Sequence, residues 1–230
     1  MKVILASASP RRQQLLQQVG WELEVRVAPF SEVKTIEQLN ELRQKEQQIL
    51  PADFALEKGL DAAEKLVAYN AYGKAAAVQE RLAYLAKEAG IPEEIVARGT
   101  TVPIVAADTI VVKNGVILGK PVDKADAIRM LANLSNGWHE VKTGVAILYM
   151  GKSIVRVVAT AVHFRRLTVE EINAYVQTGE PMDKAGGYGI QGRAAIFCDR
   201  IEGSYDNVVG LPLAVLQELV QQVIREGKGT

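Results

Sequence analysis

Two apolar stretches, "VKTGVAILY" (141–149) and "SIVRVVATAVHF" (153–164), are joined through "MGKS", and no other feature of the chain constrains its fold as much. Both are rich in β-branched residues. A connection that short cannot reach a parallel partner, so the pair predicts an antiparallel hairpin. Shorter runs of the same kind occur at "KVILA" (2–6), "EVRVA" (24–28), "PIVAA" (103–107), "TIVV" (109–112) and "AAIFC" (194–198). Helical patterns lie between them. "RRQQLLQQV" (11–19) has Ser9 as N-cap, Pro10 at the first helical position and Gly20 at its end. "KADAIRMLANL" (124–134) is apolar at 127, 128, 131 and 134, and "TVEEINAYVQ" (168–177) opens with a capping box from Thr168 to Glu171. "LPLAVLQELVQQVIREG" supplies a last helix with Pro212 near its start. Strands alternating with helices give an α/β fold, and the hairpin makes its sheet mixed.

Residues 35–100 stand apart, with almost no strand signal and an excess of Ala, Glu, Gln, Lys and Leu. They read as surface or lobe-forming helices, an all-helical cap on a β-rich core. The chain has 230 residues, 48% of them hydrophobic, which is enough for one large domain or two lobes. Lys+Arg and Asp+Glu both number 27, so the basic excess of a nucleic-acid binder is missing, although a local positive cleft is compatible with this balance. With a single cysteine, Cys198, no intrachain disulfide forms, and a cytoplasmic setting is expected. Cys198 lies in the apolar run "AAIFC" and reads as a packed thiol. "VILASAS" is too short for a signal segment, and the longer apolar runs break too soon for a membrane span.

The first helix begins in an unusual way. "LASASPRRQQLL" (5–16) places Arg11 and Arg12 in a first turn, where the helix dipole is already positive and acidic residues are normally favoured. Either the arginines point to water, or the "SASP" turn, its backbone amides and both guanidinium groups hold an anion. In "VAADTIVV", Asp108 and Thr109 interrupt two apolar strand segments, where a carboxylate needs partners. Such an aspartate is a general base, a metal ligand or a bland turn residue. "LGKPVD" is no P-loop, because Gly115 and Gly119 are too close and Pro121 follows Lys120, but Lys120 can still meet phosphate as a point charge. "DKAGGYGIQG" (183–192) carries four glycines, which permit close backbone approach to a ligand or describe a plain loop. His139 and His163 are far apart in sequence, no Cys/His spacing suits zinc, and no "GxSxG" elbow is present. Any metal is then a hard cation held by carboxylates and phosphate.

In order and context, "ILASASPRRQQLL", "VAADTIVV", "LGKPVD", "HEVKTGVAI", "DKAGGYGIQG" and "GSYDNVVGLPL" resemble the Maf family of nucleotide pyrophosphatases, across residues 1–34, 68–79 and 103–222. The resemblance implies one Maf-like domain over 1–230. Its fold would be a mixed, elongated sheet with flanking helices and two lobes around a cleft, similar to the inosine-triphosphate pyrophosphatases. It implies hydrolysis of a nucleoside triphosphate to the monophosphate and pyrophosphate with a divalent cation, Mg or Mn, and a link to septum formation. Asp108 matches the family's catalytic proton acceptor. Ser7, Arg11 and Arg12 match its phosphate-contacting turn, joined by Lys74 in "AYGKA" and by Lys120. Glu32 in "FSE" matches the family's acidic residue, and with Asp108 it would hold the metal. Arg11, Thr109 and Gln191 match the branch acting on dTTP and UTP, and a glutamine amide can both donate to and accept from a pyrimidine edge.

The chain departs from the family in spacing, with long intervals on either side of Lys74, so that residues 37–60 and 80–100 read as helical insertions. An enlarged cap of that kind is compatible with a modified pyrimidine nucleotide as substrate. From the apolar runs and the charge balance no membrane and no stable nucleic-acid contact are expected, and a homodimer is among the possible assemblies. The alternative is a nucleotide-binding regulator of cell division with little turnover.

Overall fold

The computed structural model describes residues 1–45, 59–97 and 99–228. Among them, seven strands form one sheet in the order β2-β1-β3-β5-β6-β7, with β4 beside β3. The strands are β1 (Lys2–Leu5), β2 (Glu22–Val25), β3 (Ile104–Lys113), β4 (Val116–Leu118), β5 (Gly137–Tyr149), β6 (Lys152–Phe164) and β7 (Cys198–Glu202). The helices are α1 (Pro10–Gln18), α2 (Ile36–Lys45), α3 (Ala62–Glu88), α4 (Glu93–Ala97), α5 (Lys124–Leu134), α6 (Val169–Gln177), α7 (Tyr205–Val209) and α8 (Leu213–Lys228). The β1–β2 and β1–β3 pairs are parallel, whereas β3–β4 and β6–β7 are antiparallel, so the sheet is mixed as expected. No helix among the described residues is long and apolar enough to cross a membrane.

The chain divides into two compact units, one of residues 1–108, 144–157 and 210–230, the other of residues 109–143 and 158–209. In the first unit, β1 is paired on both sides, with Ile4 and Leu5 in register with Ile104 and Val105 of β3. Its far side pairs with β2, which runs Glu22–Val25 rather than 24–28 because the parallel register starts at Lys2↔Glu22. The core joins Ile4, Ile104, Ala106, Ala146 and Leu148 of the strands, with Ala6 just past β1, to Ala71, Ala75 and Val78 of α3. Small residues at this contact let helix and sheet approach closely. A Cβ on Gly144 would stand 2.4 Å from the Val67 carbonyl oxygen. α3 is therefore a core helix, not the cap its composition suggested. Its start is fixed by a capping box between Asp61 and Glu64. The helices at 36–45, 62–88 and 93–97 agree with the helical character expected of 35–100, while residues 46–58 of that stretch lie outside the described residues.

In the second unit, Asn114 and Gly115, at φ 51° and 76°, close the β3–β4 hairpin in the left-handed geometry that suits a two-residue connection. α5 spans Lys124–Leu134 as predicted and packs on α6, whose capping box at Thr168 and Glu171 is present. Phe164, Phe197, Tyr188, Tyr175 and His139 form a cluster of edge-to-face rings at centroid distances of 4.7–6.0 Å. "AAIFC" is not a strand. Arg193–Phe197 is a 3-10 turn that buries Ala194 and Phe197, three positions apart, and β7 begins only at Cys198. Cys198 is half-buried, at the start of the sheet's edge strand, and burial pushes its thiol pKa up.

Candidate active site

β3 runs without a break through Asp108 and Thr109, so the polar pair is no interruption. The backbone stays in the sheet, and the Asp108 side chain finds its partners on α3. Lys74 Nζ donates to Asp108 Oδ1 at 2.7 Å, and Asn70 Nδ2 donates to Oδ2 at 3.0 Å. Asn70 and Lys74 are four residues apart, so one helix face presents both donors. Asn70 is itself fully engaged. Its Oδ1 accepts from the Val33 amide at 2.9 Å, and its Nδ2 donates to the Val33 carbonyl at 2.8 Å. That pairing holds the segment carrying Glu32, whose Oε1 lies 2.7 Å from Lys74 Nζ. Phe30 presses against α3 at Gly73, where a Cβ would come within 2.2 Å of its ring. Lys74 and Asp108 are mostly buried, with 16% and 12% of their side chains exposed, whereas Glu32 is 49% exposed.

The "SASP" turn leads from β1 into α1 in the same unit. Ser9 caps the helix by accepting from the Arg12 amide at 3.5 Å, and Pro10 takes the first helical position. The Arg12 side chain turns back, donating Nε to the Gly210 carbonyl at 2.9 Å and Nη1 to Ser7 Oγ at 3.2 Å. Burial lowers its pKa, Asp108 and Glu32 raise it, and Arg11 lowers it again. The guanidinium stays charged regardless. No acidic residue occupies the first turn of α1, so the amides, Arg11 and Arg12 concentrate positive charge there.

Glu32 and Asp108 direct one oxygen each at a single cation, the Lys74 ammonium, at 2.7 Å from both. Two hard oxygen donors converging on one cationic position fit a magnesium- or manganese-like ion, which commonly takes one or two carboxylates and completes its shell with phosphate and water. No group of three or more His, Cys, Asp or Glu among the described residues could hold a metal without such help.

Thr109, Lys120 and Gln191 belong to the second unit. Thr109 Oγ1 lies 3.0 Å from Thr143 Oγ1, which donates to the Asn207 carbonyl at 3.3 Å. Asn207 is fully buried and donates Nδ2 to the Val141 carbonyl and to Thr160 Oγ1, each at 3.0 Å. Lys120 is exposed after β4, and the neighbouring Gly119 carbonyl accepts from Gly186 N at 2.9 Å, tying the "GKP" turn to the glycine-rich loop. Gln191 is exposed in the turn from Gly189 to Gly192.

The sequence profile of the Maf-like protein family matches residues 2–223. The chain belongs to the Maf family. Among its relatives, a dTTP/UTP pyrophosphatase of Acetivibrio thermocellus is 42% identical over 96% of this chain and 94% of its own. One of Gloeobacter violaceus is 40% identical over 98% and 97%, and one of Vibrio cholerae 40% identical over 96% and 97%. The Ham1 protein of Staphylococcus aureus superposes on 71% of this chain and 72% of its own at a TM-score of 0.35 and 11% identity, too slight a likeness to argue from.

In this Maf chain, Glu32, Lys74 and Asp108 meet as one network in the first unit, and Ser7 pairs with Arg12 in the same unit, where Arg12 feels the charges of Asp108, Arg11 and Glu32. The long spacing around Lys74 does not move that lysine away from Asp108. Sequence reasoning missed Asn70. Its signal was an amide one helical turn before Lys74, in the otherwise apolar "LVAYNAYG". Thr143 and Asn207 lay inside quoted motifs, but the chain of contacts from Thr109 to Thr143 and from Thr143 to Asn207 joins residues 34 and 64 positions apart and leaves no local trace.

Proposed function

We propose that the chain is a nucleoside triphosphate pyrophosphatase acting on dTTP and UTP. The observation that carries this reading is Asp108, held by Asn70 and Lys74, with Glu32 on the same lysine, in a chain about 40% identical to dTTP/UTP pyrophosphatases along nearly its whole length. Asp108 takes a proton from water as the water oxygen bonds to the α-phosphorus. The bridging oxygen leaves with pyrophosphate, and the monophosphate remains. Ser7, Arg11, Arg12, Lys74, Lys120 and the α1 amides neutralise the triphosphate and its leaving group. When bound, a divalent cation on Glu32 and Asp108 supplies further charge neutralisation on phosphate oxygens. Arg11, Thr109 and Gln191 read the pyrimidine.

The same reading makes the nucleotide the principal ligand, puts the enzyme in the cytoplasm with the nucleotide pool, and assigns it removal of unwanted pyrimidine nucleotides rather than a purely regulatory part in septum formation. Equal numbers of basic and acidic residues, 27 each, support the absence of a stable nucleic-acid partner. The test is pyrophosphate release from dTTP, UTP, CTP and GTP with magnesium or manganese. Fast release from dTTP and UTP is expected. Release confined to purine nucleotides would overturn the substrate assignment, and binding of dTTP without release would favour the regulator.

A further inference from the structure

Gln191 sits in a turn of high intrinsic freedom. The four residues Gly189 to Gly192 are closed by one bond, from the Gly192 amide to the Gly189 carbonyl at 2.9 Å. Glycine at both ends leaves the backbone many alternatives. An amide that distinguishes thymine or uracil from cytosine must be held within a few tenths of an ångström, because the two edges differ only in which atoms donate and accept.

In the second unit a hydroxyl–carboxylate pair spans this turn. Tyr175, near the end of α6 and 4% exposed, accepts from the Gly189 amide at 3.3 Å and donates to Glu180 Oε1 at 3.1 Å. The other carboxylate oxygen, Glu180 Oε2, accepts from the Arg193 amide at 3.3 Å. One hydroxyl–carboxylate pair thus ties the residue that opens the turn and the residue just past its end. Gly192 lies flat against this carboxylate, since a Cβ there would stand 1.9 Å from Oε1. Glu180 is fixed in turn, because its carbonyl accepts from Lys184 Nζ at 2.7 Å and its amide donates to Thr178 Oγ1 at 3.1 Å.

We propose that Tyr175 and Glu180 are positioning residues for nucleobase selection, holding the Gly189–Gly192 turn so that the Gln191 amide keeps one orientation. The proposal rests on the reading that Gln191 contacts the pyrimidine. Tyr175→Phe removes the shared hydroxyl and little else, and Glu180→Gln replaces one acceptor with a donor.

Two measurements on the full chain test it. Amide hydrogen exchange of the unliganded protein is expected to quicken about tenfold at Gly189 and Arg193 in Tyr175→Phe. In steady-state kinetics, the same variant is expected to lose about tenfold of its kcat/KM preference for dTTP over CTP, through KM, with kcat at saturation changed less than about threefold. On a Gln191→Ala background it should cost no further preference, because the effect passes through Gln191. Unchanged exchange overturns the clamp whatever the substrate. Faster exchange with an undiminished preference overturns its role in selection, as does an equal loss with and without Gln191. If Gln191→Ala alone leaves the preference intact, the reading of Gln191 fails, and exchange still decides whether the turn is clamped.

Discussion

Asn70 has both ends of its amide committed, to the Val33 backbone on one side and to Asp108 on the other, at 2% exposure. Replacing it with alanine strands the buried Val33 amide and one Asp108 oxygen. The expected cost is about 1–3 kcal/mol of stability, read by urea denaturation. Turnover should fall by more than the stability loss explains, roughly tenfold, because Asp108 then keeps only Lys74. An Asn70→Ala protein with normal turnover would show that Lys74 alone orients Asp108. The same residue shows where sequence reading stops. Asp108 looked like a break between two strands because its partners lie 34 and 38 positions upstream on α3. No local pattern announces that a buried carboxylate is already satisfied.

At the scale of elements, what was legible had local causes. The β5–β6 hairpin, the span of α5 and the capping box of α6 were all readable, because strand alternation, helical period and caps act over a few residues. "AAIFC" was misread because a short apolar run does not show its period. Ala194 and Phe197 are buried three apart while Ile196 is 66% exposed, which is a 3-10 spacing. α3 was misjudged for a related reason. Its alanines look indifferent on composition, yet Ala68, Ala71 and Ala75 are fully buried where the helix meets the sheet. Gly144 sets that contact. Gly144→Ala is expected to destabilise by about 1–3 kcal/mol, since its Cβ meets helix backbone that cannot rotate away. Ser9→Ala tests the other end of the site, and loss of its cap should cost about 1 kcal/mol. Thermal unfolding of both variants checks these values, and an unchanged Gly144→Ala midpoint would mean that α3 sits further from β5 than described.

For the whole molecule, pH dependence follows from the aromatic cluster. His139 is 3% exposed, and burial, with smaller contributions from Lys113 and His163, lowers its pKa from 6.5 to about 3. The unfolded chain therefore binds a proton below about pH 6.5 that the folded chain refuses, and stability should fall as pH drops from 6.5 towards 3. A shift of that size is worth on the order of 4 kcal/mol at the lower limit. Glu171 acts in the same direction further down. Its hydrogen bonds from Arg165 hold its pKa at about 2, so its contribution is lost as pH falls from 4.5 towards that value. Urea denaturation between pH 4 and 7 should show the decline, and His139→Gln should flatten it; an equal slope in the variant would place the effect elsewhere.

In the proposed reaction Asp108 carries the proton during hydrolysis at the α-phosphorus. The most direct measurement compares wild type with Asp108→Asn for pyrophosphate release from dTTP in 18O-labelled water, alongside dTTP binding. Label is expected in the monophosphate from wild type. In the variant, release should fall by about 10²- to 10⁴-fold, with binding kept within a few fold. Label in the pyrophosphate, or near-normal release from Asp108→Asn, would contradict that reaction.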